Sequence, residues 1–394
     1  MRSRISSMVW LLATAVIVAG CLPADDADRA YRLIPDQVDV DRVEPSPAID
    51  TIPGLDMVDG LIDPDPAPAI DLAAIRPSGL PPDALPSIDE PPFVRARSVW
   101  FLQDREPVIA LTIDGDARAY PLQILMWHEI VNDVVGGVPV AVTYCPLCNS
   151  AVVYERTVDG LILEFGVSGR LLNSSLVMYD RQTGTLWSHY TGGGVVGELT
   201  GTELATHPVS IVAWADWKAA HPNGLVLDRE TGFIKEYGLN PYPGYDDVDE
   251  RPFLFEGEVD GRYTAMTRVV TFTLDDTAVA VTLDRLRTDE LVRTTVGDRD
   301  VIVRWTPGVS SALDSFDVAA GADVGTTFVA VADSDDTFTI DGDRLVDTAT
   351  GSTWDVFGAA VDGPRRGERL ERIQHFDTFW FAWAAFRPDT VVID

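Results

Sequence analysis

The chain has 394 residues, 46% of them hydrophobic and 9% aromatic, enough for two globular domains of ordinary size. Its formal charge of −32 argues against a nucleic-acid partner and against adsorption to an acidic membrane face, because phosphates and anionic headgroups would be repelled. After residue 20, no apolar run is long enough to span a bilayer as a helix.

Arg2 and Arg4 precede an apolar run from Met8 to Ala19, too short to cross a membrane but suited to a signal-peptide core. Val18, Ala19 and Gly20 then place small residues before Cys21, which resembles the lipobox of bacterial lipoproteins. These features predict a signal peptide over residues 1–20, acylation of Cys21, and an extracytoplasmic protein held to the cell membrane, or to an outer membrane where one exists. Residues 21–84 are rich in Pro, Asp and Ala, and runs such as Asp63 to Pro68 suit neither a helix interior nor a central strand. They read as a stiff, charged tether, with ordered structure expected from about Leu85.

Beyond the tether an internal repeat organises the chain. Val108–Tyr120 aligns with Val269–Val281 without a gap, and the register continues through Leu122 with Leu283, Glu129 with Glu290, and Pro146 with Pro307. Asp180–Trp187 pairs with Asp347–Trp354, and both stretches end in an aromatic helix before Pro222 and Pro388. The expected fold class is α+β: two tandem copies of a mostly antiparallel sheet domain with two helices each, the second degenerate. The copies are placed at residues 85–240 and 268–394, with a linker at 241–267.

Within each copy, Val108–Ile113 and Ala117–Pro121 flank Asp114-Gly115 as a hairpin. Leu122–Asp133 has helical spacing, and Val138–Tyr144 alternates as a strand. Ala151–Glu155 and Leu161–Val167 read as a hairpin about Asp159-Gly160, and Ile211–Ala220 as the closing helix.

The repeat offers an internal control: residues kept in both copies are most simply needed for the fold. By that test Glu129, Asp180, Thr183, Gly184 and Trp187 are structural. His128, by contrast, aligns with Asp289, Cys145 with Thr306, Cys148 with Val309, and His189 with Val356. Two thiols three residues apart can meet one metal ion, and imidazole beside thiolate suits copper or zinc. The candidate ligands are Cys145, Cys148 and His128, with His189 as a fourth candidate. Two other readings of the cysteine pair stay open. In one, Cys145 attacks and Cys148 resolves in thiol–disulfide exchange. In the other, the pair is a structural disulfide in a non-enzymatic scaffold that binds a partner through its aromatic closing helices. Gly-x-Ser-x-Gly, Walker and His-Glu-x-x-His motifs are lacking, so no catalytic residue is assigned and enzymatic activity is left undecided.

The stretches Trp127–Asp133, Gly136–Val140 and Tyr144–Cys148, extended by Leu176–Arg181 and Gly184–Ser188, resemble domain of unknown function family 3179. The resemblance covers about residues 85–393 and implies exported or lipoprotein relatives, without implying a reaction.

Overall fold

The computed structural model describes residues 52–332 and 336–393. The predicted signal peptide, Cys21 and the first part of the tether lie outside the described residues. In chain order the first half carries α1 (Pro53–Val58), β1 (Ile75–Pro77), β2 (Phe93–Arg95), β3 (Pro107–Ile113), β4 (Asp116–Pro121) and α2 (Leu122–His128). Next come β5 (Ile130–Val135), β6 (Val138–Cys145), β7 (Ser150–Glu155), β8 (Thr157–Val158), β9 (Leu161–Ile162), β10 (Phe165–Leu172) and β11 (Ser175–Asp180). The half closes with β12 (Leu186–Ser188), β13 (Gly194–Val196), β14 (Thr206–His207), β15 (Ser210–Ala213), α3 (Trp214–Ala220) and β16 (Leu225–Leu227). Apart from the small β8–β9 pair, these strands form three sheets, ordered β15-β3-β4-β16-β2, β14-β7-β6-β5 and β1-β10-β11-β12-β13.

The second half begins with β17 (Arg268–Leu274), β18 (Thr277–Thr282), α4 (Leu283–Asp289), β19 (Leu291–Val296), β20 (Arg299–Thr306) and β21 (Thr326–Ala332). It continues through β22 (Phe338–Asp341), β23 (Arg344–Asp347), β24 (Thr353–Trp354), β25 (Ala360–Asp362), β26 (His375–Phe379), α5 (Trp380–Phe386) and β27 (Val391–Ile393). Its sheets run β26-β17-β18-β27, β19-β20-β21 and β22-β23-β24-β25. The described residues are therefore mostly β, in several antiparallel sheets with five short α-helices. Among named strands the parallel pairs are β4 with β16 and β18 with β27.

Local sequence explains the joints. Asp114 and Gly115 adopt φ 48° and 82°, the doubly left-handed turn that their residue types favour, and β3 and β4 pair as expected. The helix predicted to reach Asp133 stops at His128. Glu129 turns the chain at φ 58°, and Ile130–Val135, rich in β-branched residues, becomes a strand paired with β6. Apolar spacing alone could not separate the two states, because both faces of this strand are buried save at Val134. Asp159-Gly160 is a turn, but it joins only the two-residue strands β8 and β9, while β7 and β10 belong to different sheets. The closing helix begins at Trp214, since Ser210–Ala213 pairs with β3.

Ordered structure also begins earlier than expected. Leu55 and Met57 of α1 pack in one apolar cluster with Ile75, Val177 and Leu186, and β1 pairs with β10. Part of the stretch read as tether thus covers the sheet. Proline is disfavoured in central strands, yet tolerated at the start of a helix and on an edge strand, as at Pro53 and Pro77 here. The largest core cluster joins Val140, Tyr144 and Trp187 of the first half to Phe379, Trp380 and Trp383 of the second, so the halves share a core.

Candidate metal centre

Cys145 ends β6 and pairs across the hairpin with Ser150, the first residue of β7. The turn between them closes with Asn149 at φ 51°, a left-handed position that asparagine tolerates, and Asn149 N–H donates to Pro146 O. Strand pairing on one side and this turn on the other bring both thiols of Cys145 and Cys148 to the hairpin tip. They are not joined in a disulfide. His189 follows β12, and its N–H donates to Leu176 O on β11, which turns the imidazole towards the hairpin. The sulfurs of Cys145 and Cys148 and a nitrogen of His189 lie within 4.8 Å of one another.

The electrostatics of this group are those of a buried ligand set. Cys145 is 1% exposed, and Cys148 and His189 are 0% exposed. Burial and the contact with Cys148 push the Cys145 thiol well up. For Cys148 burial works the same way, but bonds from Cys145, Ser150 and Ser175 outweigh it and the thiol lies below its ordinary value. The Ser150 and Ser175 hydroxyls stand 3.0 and 3.5 Å from its sulfur. Burial likewise lowers His189, leaving a neutral imidazole with a free lone pair. Both ring nitrogens of His189 lack a hydrogen-bond partner. Buried polar atoms are nearly always satisfied, so a ring with both nitrogens unpartnered beside two thiols is a place where a bound group could sit.

His128, expected to be a ligand, is engaged elsewhere. The Pro86 carbonyl, 2.7 Å away, can only accept, so Nδ1–H donates to it. Nε2 in turn accepts from the Tyr237 hydroxyl at 2.6 Å. The Tyr237 hydroxyl also meets Thr231 at 2.6 Å, and burial drops the His128 pKa to about 4. The sequence brought His128 forward because it differs between the repeats, yet its ring ties α2 to the segment around residue 237. His375 is buried on β26 against Thr327.

Glu129 was set aside as structural because Glu290 matches it. The backbone role is indeed common to both: each has φ 58°, and each carbonyl accepts the N–H of the neighbouring strand, Tyr144 or Trp305, at 2.9 Å. The side chains differ. Glu290 is half-buried, whereas Glu129 is 6% exposed and lines a cavity beside the cysteine hairpin. Burial, with the Cys145 thiol nearby, holds its carboxyl well above the usual range. No pattern in the sequence distinguishes the two glutamates.

The second half grips the cysteine hairpin. Cys148 O accepts from the Thr378 hydroxyl at 2.6 Å and from Phe379 N–H at 3.3 Å. Asn149 Nδ2 donates to Asp377 O at 2.9 Å, and Tyr245 O–H donates to Leu147 O at 3.0 Å. Asp377 in turn pairs with Arg268, which also holds Asp246. None of these anchors was visible in the sequence, since they are contacts to backbone groups made across 98 residues or more.

A family described as "Protein of unknown function (DUF3179)" matches residues 82–390, and the chain belongs to it. No curated protein and no solved structure matches the chain.

Proposed function

We propose that this family member is an exported, lipid-anchored protein that holds one soft metal ion, copper or zinc, on Cys145, Cys148 and His189. The observation that carries the reading is the imidazole of His189, fully buried and with both nitrogens unpartnered beside two thiols. Two sulfurs and one neutral nitrogen are the donor set that copper and zinc prefer over harder ions. Cys148 is already inclined to lose its proton, as a thiolate ligand must. Three protein ligands leave room for one more donor, the arrangement in which a metal acts on a bound molecule rather than merely staples a fold. Reactive thiols in exchange reactions are partly exposed, and these two are 1% and 0% exposed, which favours the metal over thiol–disulfide exchange.

The reading extends to the rest of the chain. The basic start, short apolar run and small residues before Cys21 support export and acylation, so the centre would stand outside the cytoplasm on a membrane tether. The halves are read as a tandem duplication. The gapless alignment and the matching strand orders β15-β3-β4-β16 and β26-β17-β18-β27 support it. In that reading the second copy lost its ligands and kept its grip on the first.

Elemental analysis of the purified full chain tests the metal reading. One equivalent of copper or zinc per chain, lost in both Cys148→Ser and His189→Ala, is the expected result. A metal-free protein that takes up neither ion on titration under reducing conditions would end it.

A further inference from the structure

We propose that the cavity beside the cysteine hairpin binds a small molecule with a hydrocarbon body and a single hydroxyl or amine, the polar group meeting the carboxyl of Glu129. The cavity measures about 50 Å³, and Leu85, Leu147, Leu171, Leu176 and Phe253 are among its walls. Glu129 is the acidic residue lining it, beside Ser78, Tyr242 and an Arg170 whose guanidinium is held by Asp59 at 2.7 Å. Among the described residues no hydrogen bond or ion pair engages this carboxyl, although the side chain is 6% exposed. No protein donor accounts for a carboxyl that opens onto the cavity in this way. The fold does not explain it either, because the turn needs only the backbone of residue 129, as Glu290 demonstrates.

Size and polarity define the occupant. At roughly 10–15 Å³ for one water-sized unit, the space admits only a few heavy atoms. Leucine walls favour an alkyl group, and the Glu129 carboxyl oxygens at the wall can accept from one hydroxyl or amine. Short-chain alcohols and amines meet these requirements, whereas sugars are too large for the space. The outer wall is formed by Leu80 and Pro81, a stretch held between two backbone bonds, Ser78 N–H to Gly169 O at 2.9 Å and Asp83 N–H to Val167 O at 2.8 Å. Pro81 is exposed and Leu80 half-buried, so this wall of the cavity lies at the protein surface. That the ligand would lie beside a bound ion rests on the metal reading above; the cavity and its carboxyl do not.

Fluorine NMR of the purified full chain, with trifluoroethanol as the probe, tests the site. Saturable line broadening by the wild type is expected, at least about tenfold weaker binding by Glu129→Leu, and none by Leu85→Phe, which fills the cavity. Near-UV circular dichroism checks that each variant is folded, and if one is not, the other decides. Broadening that does not saturate, or that is equal in the wild type and the folded variants, overturns the proposal. The Cys145→Ser/Cys148→Ser double variant separates the two readings: it is expected to keep the probe while binding no ion, and loss of the probe there with the fold intact overturns the site's independence of the metal.

Discussion

The tips that follow β6 and β20 start alike and end differently. In the first half Cys145 pairs directly with Ser150, so the strand turns at once and its two thiols share one point. In the second, Thr306 pairs with Thr326, and the chain makes a long excursion before returning. Along that excursion Ser310 N–H bonds Arg105 O and Ser311 shares Asp246 with Arg268, whose other partner Asp377 holds Asn149. One tip carries candidate ligands, and the other belongs to the framework that fixes the first. The same α2-to-β6 and α4-to-β20 frame thus carries the candidate ligands in one half and framework contacts in the other.

This contrast is broken most sharply by exchanging histidines and thiols across it. Cys148→Ser and His189→Ala are each expected to weaken metal binding by more than about a hundredfold, since even a residue that only supports a ligand costs tenfold to a hundredfold. Val309→Ala, at the matching place in the second half, and His128→Gln should leave affinity unchanged. Competition against a chromophoric chelator measures all four. An affinity loss in His128→Gln equal to that in His189→Ala would return the site to the ligand set expected from sequence.

A second contrast is one of pH. Burial lowers His128 in the first half and His375 in the second from 6.5 to about 4 in the folded state. The unfolded chain therefore binds more protons than the folded one between these values. Stability is full above pH 6.5 and declines as pH falls towards 4, by about 3 kcal/mol for each histidine at 1.36 kcal/mol per pKa unit. Urea midpoints measured at pH 7 and pH 4.5 should converge more closely in His128→Gln or His375→Gln than in the wild type. An unchanged difference would mean that neither imidazole is buried neutral.

How much of this was legible beforehand depends on what each feature is made of. The hairpin about Asp114-Gly115 and the strand into Cys145 rest on local residue types, and the sequence displays these. The helix end at His128 was not legible, because Ile130–Val135 is buried on both faces and its spacing suits either state. The site was half legible. Cys145 and Cys148 announce themselves by spacing, but choosing between His128 and His189 needed to know which ring was already bonded. Glu129 was hidden by the very comparison that exposed the cysteines. One residue can share its backbone geometry with a counterpart in the other half while its side chain meets different surroundings.

The smallest expected effect tests whether the second half positions the centre or merely packs against it. Thr378→Val removes the hydroxyl that donates to Cys148 O but keeps the shape of the side chain. Loss of one buried hydrogen bond costs about 1 kcal/mol of stability, with Phe379 N–H left as the remaining donor. If the contact only packs, stability falls and the cobalt-substituted protein keeps its thiolate-to-metal absorption bands. If it holds Cys148 in place, those bands shift and affinity falls severalfold. The contrast with Tyr190 is informative, because its hydroxyl reaches the same Thr378 side chain at 3.2 Å while its ring stacks on Phe376 and Phe386. Tyr190→Phe deletes that hydroxyl and leaves the donor to Cys148 intact, so it should cost stability without moving the spectrum. A spectrum that moves equally in both variants would assign the effect to general loosening of the shared core rather than to the bond on Cys148.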